Sequence, residues 1–322
     1  MMVASKNIIK IRPLARGLFW LGVVFFNFCL LTAAMAEQML PVTVLYPDVQ
    51  PPYRGVLEQI VAGITDETKN RVNSYPISDG FDVGDVRQRL VKQDGGVIVG
   101  LGRRGMEMVK ALRVDKPVVI GAMMITPEST PSGFSGISLA PDPAILFGRL
   151  RQLAPQVKHV HLILNPDTNA WLIGLAREAA RSQGLELMVY EARDIRAAAR
   201  LYRDVFGMAR GVADALWLPP DSDGLDERTV LPMVLQEAWE RNVIVFSSNA
   251  SHVKRGALFA LYPDNYTMGR SLASMAMNLA KGRSATLSPL QDFLIAVNLR
   301  TAEHLNLDAR IQQQRGFDLT FP

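Results

Sequence analysis

Residues 97–121 read VIVGLGRRGMEMVKALRVDKPVVIG. Val97–Gly100 is a short apolar run closed by glycine, the pattern of a strand buried on both faces. Gly105–Leu112 carries its apolar side chains at helical spacing, and Val118–Gly121 repeats the buried-strand pattern. Strand, helix and strand in this order make a βαβ unit, whose two strands run parallel because the helix carries the chain back.

The same alternation extends in both directions. Upstream lie a strand at Val42–Tyr46, a helical stripe of Val56, Leu57, Ile60, Val61 and Ile64, a strand at Val72–Ile77 and a helix over 83–92. Phe134–Leu139 completes this first series, and Pro141-Asp142-Pro143 interrupts it. A second series begins with a helix ending at Leu153 and a strand at Val160–Leu164. Thr168 stands where it can cap a helix with Trp171, Leu172, Leu175, Ala176 and Ala179 on one face, closed by Gly184. Strand Leu185–Tyr190, helix Ile195–Met208, strand Ala215–Leu218, a helix from Thr229 and strand Val243–Phe246 follow. The tail supplies a strand at Ala257–Leu261, a helix over Asn265–Lys281 and a strand at Asp292–Val297, single elements of the kind that two lobes exchange. The expected fold class is α/β: two doubly wound, Rossmann-like parallel-sheet lobes joined by a multi-crossover hinge. The expected division is 1–36 as leader, 37–141 plus 257–286 as one lobe, and 142–256 plus 287–322 as the other.

Composition bounds the function. The 322-residue chain has 35 Lys+Arg against 31 Asp+Glu, a formal charge of +4. Lys6, Lys10, Arg12 and Arg16 carry that whole excess, so from Glu37 onward 31 bases face 31 acids. Composition therefore provides no basic surplus for nucleic acid. Hydrophobic residues make up 48%, which excludes a disordered chain. The basic start, the apolar run Gly17–Leu31 and the Ala34-x-Ala36 site form a secretory signal peptide, and the run is short of the ~20 residues a spanning helix needs. Cleavage after Ala36 removes Cys29, the only cysteine, so the product is expected to be soluble, periplasmic and free of disulfides and thiol chemistry.

In open parallel sheets, ligands bind beyond the carboxyl ends of the strands. After the early strands, Tyr46, Asp48, Gly102, Arg103, Met123 and Ser135 stand there. The second series contributes Asn165, Thr168, Asn169 and Asp221. From the last strands come Ser247, Asn249, Tyr262 and Asp264, with a helix cap as the other reading of Asp48, Asp221 and Asp264. Hydroxyl, amide, carboxylate and aromatic groups together suit a small polar ligand. Gly100-x-Gly102-x-x-Gly105 matches a dinucleotide fingerprint, but it sits on the third strand and no acid follows the next one, so the glycines read as a tight turn. Arg103 and Arg104 at a helix start would suit an anion such as a carboxylate or phosphate, with arginines turned to solvent as the other reading. His159-x-His161 lacks a third ligand nearby and reads as a strand pair without metal. Trp171, Trp217 and Trp239 fall on helical or strand stripes and read as core. Neither cofactor nor catalytic residue is expected, since no hydrolase, metalloprotease or P-loop signature is present.

Larger blocks carry a family resemblance. They are Leu153-Ala-Pro-x-Val157 with His161-Leu-Ile-Leu-Asn165-Pro166, Ala215-Leu-Trp-Leu-Pro-Pro-Asp221, and Gly256-Ala-Leu258 with Tyr266-x-x-Gly269-Arg270. Val297-Asn-Leu-x-Thr-Ala302-Glu-x-Leu305 completes them. Over residues 40–308 the chain resembles ABC transporter substrate-binding proteins of the tryptophan and aromatic-amino-acid type, within the type I periplasmic binding protein fold. The resemblance implies three interlobe crossovers and a ligand in the cleft, and it maps Asn165, Thr168, Asn169, Asp221, Tyr262, Asp264 and Tyr266 onto binding loops. Departures fall in those loops: Gly102-Arg103 for Gly-Thr, Ile125-Thr126 for Asp-Pro, and Ala170 for Ser. The expected function is a monomeric solute-binding protein for an amino acid or carboxylate-like ligand, delivered to an inner-membrane ABC permease. The alternatives are a sensory module for a membrane receptor and a periplasmic enzyme.

Overall fold

The computed structural model describes residues 41–322, apart from 79–81, 93–95, 114, 221–224 and 315. The expected leader, with Cys29, and Asp221 lie outside the described residues.

The first sheet contains β1 (Val42–Pro47), β2 (Val72–Ile77), β3 (Val97–Leu101), β4 (Val118–Gly121), β5 (Ser135–Pro141) and β11 (Leu287–Leu290), in the order β11-β5-β4-β3-β1-β2. All its pairings are parallel. The second contains β6 (His159–Leu164), β7 (Glu186–Glu191), β8 (Asp214–Leu218), β9 (Ile244–Ser247), β10 (Phe259–Pro263), β12 (Phe293–Asn298) and β13 (Leu319–Phe321). Its order is β13-β12-β10-β9-β8-β6-β7, with β12 antiparallel to β10. The first five strands of each sheet share one doubly wound order, so each sheet has a switch point where neighbouring connections leave in opposite directions, β1/β3 in one and β6/β8 in the other.

The helices of the first lobe are α1 (Tyr53–Glu67), α2 (Val83–Lys92) and α3 (Gly102–Leu112). Those of the second are α4 (Pro143–Leu153), α5 (Pro166–Gln183), α6 (Ile195–Met208), α7 (Val230–Arg241) and α8 (Ala250–Lys254). α9 (Asn265–Ala280) returns to pack on α1, and α10 (Leu299–His304) and α11 (Asp308–Gln313) follow β12. Each sheet is covered on both faces, with Val42, Val44, Val99 and Val119 packed on one side of the first and Leu45, Ile98 and Ile120 on the other. Strands buried on both faces read as continuous apolar runs, which is why 97–100 and 118–120 stood out in the sequence.

The chain passes between the sheets three times, at Pro141–Pro143, Pro263–Asn265 and between β11 and β12. Two strands differ from the expected division. β10, assigned with the first lobe, pairs with β9 and β12 in the second sheet, where Phe259 stacks on Phe246. β11, assigned with the second lobe, pairs with β5 in the first. Its sequence Leu-Ser-Pro-Leu is short and contains a proline, which is tolerated at this sheet edge but hides the strand pattern. The three crossing segments are tied side by side: the Asp142 amide donates to the Leu290 carbonyl at 2.8 Å, Gln291 Nε2 to Asp142 Oδ2 at 2.8 Å, and the Asp264 amide to the Asp292 carbonyl at 3.0 Å.

Candidate functional site

Two loops at the carboxyl ends of the sheets face one another. After β4, Ala122 takes a left-handed φ of 57°, and the Ile125 amide donates to the buried Ser138 hydroxyl at 3.1 Å. The next turn is built on Thr126, whose carbonyl accepts from the amides of Ser129 and Thr130 and from both their hydroxyls. Thr126 returns a bond from its own amide to Ser129 Oγ at 2.8 Å. Such side-chain-to-backbone bonds fix a loop without regular structure.

The facing wall is the start of α5. Asn165 is its cap, with Oδ1 accepting from the Asp167 amide at 3.1 Å, and Pro166 occupies the first turn, where the missing N–H costs nothing. The expected cap, Thr168, instead lies inside the helix, because the helix starts at Pro166, ahead of the stripe that marked it. Asn169 departs from helical geometry (φ −126°, ψ 16°), and its side-chain Nδ2 donates to the Asn165 carbonyl at 3.0 Å. A side chain bonded back to the helix start in this way accompanies the kink.

Between the walls lies a cavity of about 580 Å³, lined by Met124, Thr126, Glu128 and Ser129 from the first lobe and Asp167–Trp171 from the second. Its volume is that of a small-molecule site. Met124 and Trp171 both pack against the apolar core of the second lobe and give the cavity an oily floor. Asp167 is paired with Arg193 at 3.1 Å, whereas Glu128 makes no ion pair among the described residues. The Glu128 carboxyl is held below the usual carboxylate range by its own backbone amide and by Thr126.

Of the sequence-derived candidates, Thr168 and Asn169 line this cavity and Asn165 braces its wall. Met123, beside Met124, packs instead into the first-lobe core. Tyr46 faces α1 in a shallow recess with Glu58 and Asp66, and burial pushes its hydroxyl pKa up, aided by Asp48 and Glu58. Asp48 pairs with Arg54 at 3.5 Å. Gly102, at φ 68°, turns the chain into α3, and a Cβ on Gly105 would meet the Leu45 carbonyl at 2.6 Å, so these glycines serve the tight turn. Arg103 is exposed at the start of α3, outside the cavity lining. Ser135 lines another recess, of about 520 Å³, near β11 and accepts from the Thr286 amide at 3.1 Å.

On the second sheet Ser247 is buried, donating to the Leu218 carbonyl at 3.2 Å and bonded to His252 Nδ1 at 2.8 Å. Asn249 caps α8. Tyr262, its hydroxyl pKa raised by burial and by Asp318 and Asp264, adjoins the second crossing. Asp264 there caps α9, accepting from the Thr267 amide at 3.0 Å and from its hydroxyl at 2.6 Å. The cap reading of Asp264 is thus the observed geometry. The histidines also find partners the sequence did not reveal. His159 and His161 both meet Asp214, at 3.3 and 2.7 Å, and His304 stacks on Trp239 with ring centroids 3.6 Å apart. Among the described residues, no group of three or more His, Cys, Asp or Glu is placed to hold a metal.

Sequence reasoning missed Glu128, Ser129 and Trp171 as cavity residues. Thr126-Pro-Glu-Ser-Thr-Pro131 was the available signal, since a cluster of turn formers after a buried strand marks a structured loop. Trp171 was assigned to core from its stripe, and it does pack there with one part while presenting another to the cavity.

The family model for ABC transporter substrate binding proteins matches residues 53–312. The chain belongs to this family. No curated protein sequence matches it. Among solved structures, this substrate-binding protein is similar to the ligand-free, open form of a substrate-binding protein with adhesive properties from Clostridium difficile. The two share 14% identity and a TM-score of 0.60, covering 88% of this chain and 99% of the other. It is also similar to a conserved domain protein from Vibrio cholerae, at 15% identity and a TM-score of 0.51, covering 88% and 100%. A Streptococcus pneumoniae ABC domain in complex with L-Trp shares 16% identity over 87% of this chain and 100% of the other, with a TM-score of 0.49. Its two doubly wound sheets and its likeness to the Clostridium difficile protein give the substrate-binding protein the type I periplasmic binding protein fold. No helix among its described residues is long and apolar enough to cross a membrane.

Proposed function

We propose that the protein is exported, captures a small polar solute of about amino-acid size between its lobes, and delivers it as a monomer to an inner-membrane ABC permease. The cavity carries this reading. It draws its lining from both lobes, so a solute touching both walls stabilises the closed arrangement by its differential affinity for that state. The three hydrogen-bonded crossings supply the hinge about which such closure turns. The binding set proposed here is Thr126, Glu128 and Ser129 on one wall with Thr168, Asn169 and Trp171 on the other. The remaining candidates at the strand ends, Tyr46, Asp48, Gly102, Arg103, Met123, Ser247 and Asn249 among them, stand outside this lining.

Protein purified from the cell envelope, denatured and examined by mass spectrometry should release one small solute in near-stoichiometric amount. Its polypeptide should begin at Glu37. Readdition and incubation should return that solute unchanged. Conversion of the solute would replace binding by catalysis, and preparations that never carry or take up a solute would contradict the proposal.

A further inference from the structure

Granting that the interlobe cavity is the solute site, its own lining specifies the charge of what enters. Glu128 and Asp167 are the only ionisable residues among the described side chains lining it, and no Lys, Arg or His is among them. Arg193 offsets Asp167 from outside the lining, at 3.1 and 3.4 Å, and among the described residues Glu128 has no counter-charge. Two of the groups that could hold an anion at such a place are engaged already. The start of α5 would attract one through its free amides. Here the Asp167 amide is taken by Asn165, and the Asp167 carboxylate itself stands in the first turn. The Asn169 amide group is spent on the Asn165 carbonyl and on Thr168 Oγ1, at 3.0 and 2.9 Å. The same cavity is lined by Trp171 and Met124, an indole and a thioether. A cavity that offers both an aromatic face and a carboxylate attracts an ammonium group by charge and by the ring quadrupole.

We infer that the cleft selects a cationic solute, an amine or ammonium carried on an apolar body, with Glu128 as the charge partner and Trp171 against the body. An anion would find no counter-charge in the lining and would face Glu128. A zwitterion would gain from its ammonium and lose from its carboxylate.

Phenethylamine, 3-phenylpropionate and phenylalanine share one body and differ in charge, so thermal denaturation with each at millimolar concentration reads the selection. Phenethylamine is expected to raise the melting temperature, and the other two to do so less or not at all. Glu128→Gln is expected to weaken the amine by at least about tenfold, as loss of a charge-assisted contact does. Glu58→Gln, outside the cavity, should leave the amine affinity unchanged. Stabilisation by 3-phenylpropionate or phenylalanine equal to that by the amine would overturn the inference, as would undiminished amine binding to Glu128→Gln. Silence from phenethylamine and from choline alike would overturn it too. A wider solute panel separates the two levels: if only anions stabilise the wild type, the cation inference fails and solute binding stands. If no solute does, the binding-protein proposal fails.

Discussion

Tyr202 lies in the core of the second lobe with its ring fully buried and its hydroxyl meeting no donor or acceptor among the described residues. Burial drives that hydroxyl's pKa well above its ordinary value. An unmatched buried hydroxyl costs about 1–3 kcal/mol, so Tyr202→Phe should stabilise the protein by roughly 1 kcal/mol, read as a higher urea midpoint at unchanged slope. Asp214 is the opposite case. Its buried carboxylate accepts from His161 Nε2 at 2.7 Å and from the Arg210 amide at 2.9 Å. Burial alone would raise its pKa, but these bonds and the charges of His161 and His159 hold it below the usual range. A carboxyl depressed in the folded state contributes stability above its unfolded pKa, near 4, and loses it as pH falls through the folded value. Asp214→Asn should therefore lower stability at neutral pH and flatten the loss of stability below about pH 4 in acid titration of the fold. Neither residue could be read from the sequence alone. His159-x-His161 was visible as a pair, but Asp214 is 53 residues from His161 and meets it only because β6 and β8 lie side by side.

At the level of elements, the contact of α1 with α9 holds the first lobe's outer layer. It is a backbone-to-backbone crossing: a Cβ added to Gly63 would fall on the Tyr266 carbonyl oxygen, and one on Gly269 on the Ile60 carbonyl. Tyr266–Asp66, Arg270–Glu67 and Ser274–Glu67 bonds of 2.8, 2.9 and 2.9 Å flank the seam. Gly63→Ala or Gly269→Ala should cost about 2–3 kcal/mol or more, because a carbonyl in a helix cannot move aside as a flexible side chain can. Gly174→Ala in α5, where nothing lies within reach of the new methyl, should stabilise by about 0.5–1 kcal/mol. Equal denaturant midpoints for all three variants would contradict the close crossing. The regular elements were legible because their periodicity is strong: β2, α2, β4 and α6 begin and end as the sequence indicated. The short ones were not. β11 carries a proline, β13 has three residues, and α8 has five, all too few for a pattern to repeat.

The whole molecule is two copies of one doubly wound order joined by three strands of chain that hydrogen-bond to each other. The number of crossings agreed with the family resemblance, while the positions of two depended on strand pairing, which is a long-range choice. The cavity was legible only in part. Thr168 and Asn169 followed from the rule that ligands meet the carboxyl ends of strands. Glu128 and Trp171 did not, because nothing local tells which residues of a turn, or which side of a half-buried helix, face the other lobe. The same distance from local pattern explains Arg103, which the helix start makes conspicuous and the folded chain leaves outside the lining.

Thermal denaturation of the wild type and of Ala170→Trp, each against a panel of small amines, amino acids and carboxylates, tests the cleft most directly. Ala170 is an exposed lining residue, so an indole there fills the cavity and leaves the core intact. At a hundred times its dissociation constant a solute adds ~2.7 kcal/mol, roughly 5–10 °C for a protein of this size. Such a shift in the wild type, abolished in Ala170→Trp while the unliganded melting temperature is kept, is the predicted result. A solute that stabilises both proteins equally would place binding elsewhere and contradict the account.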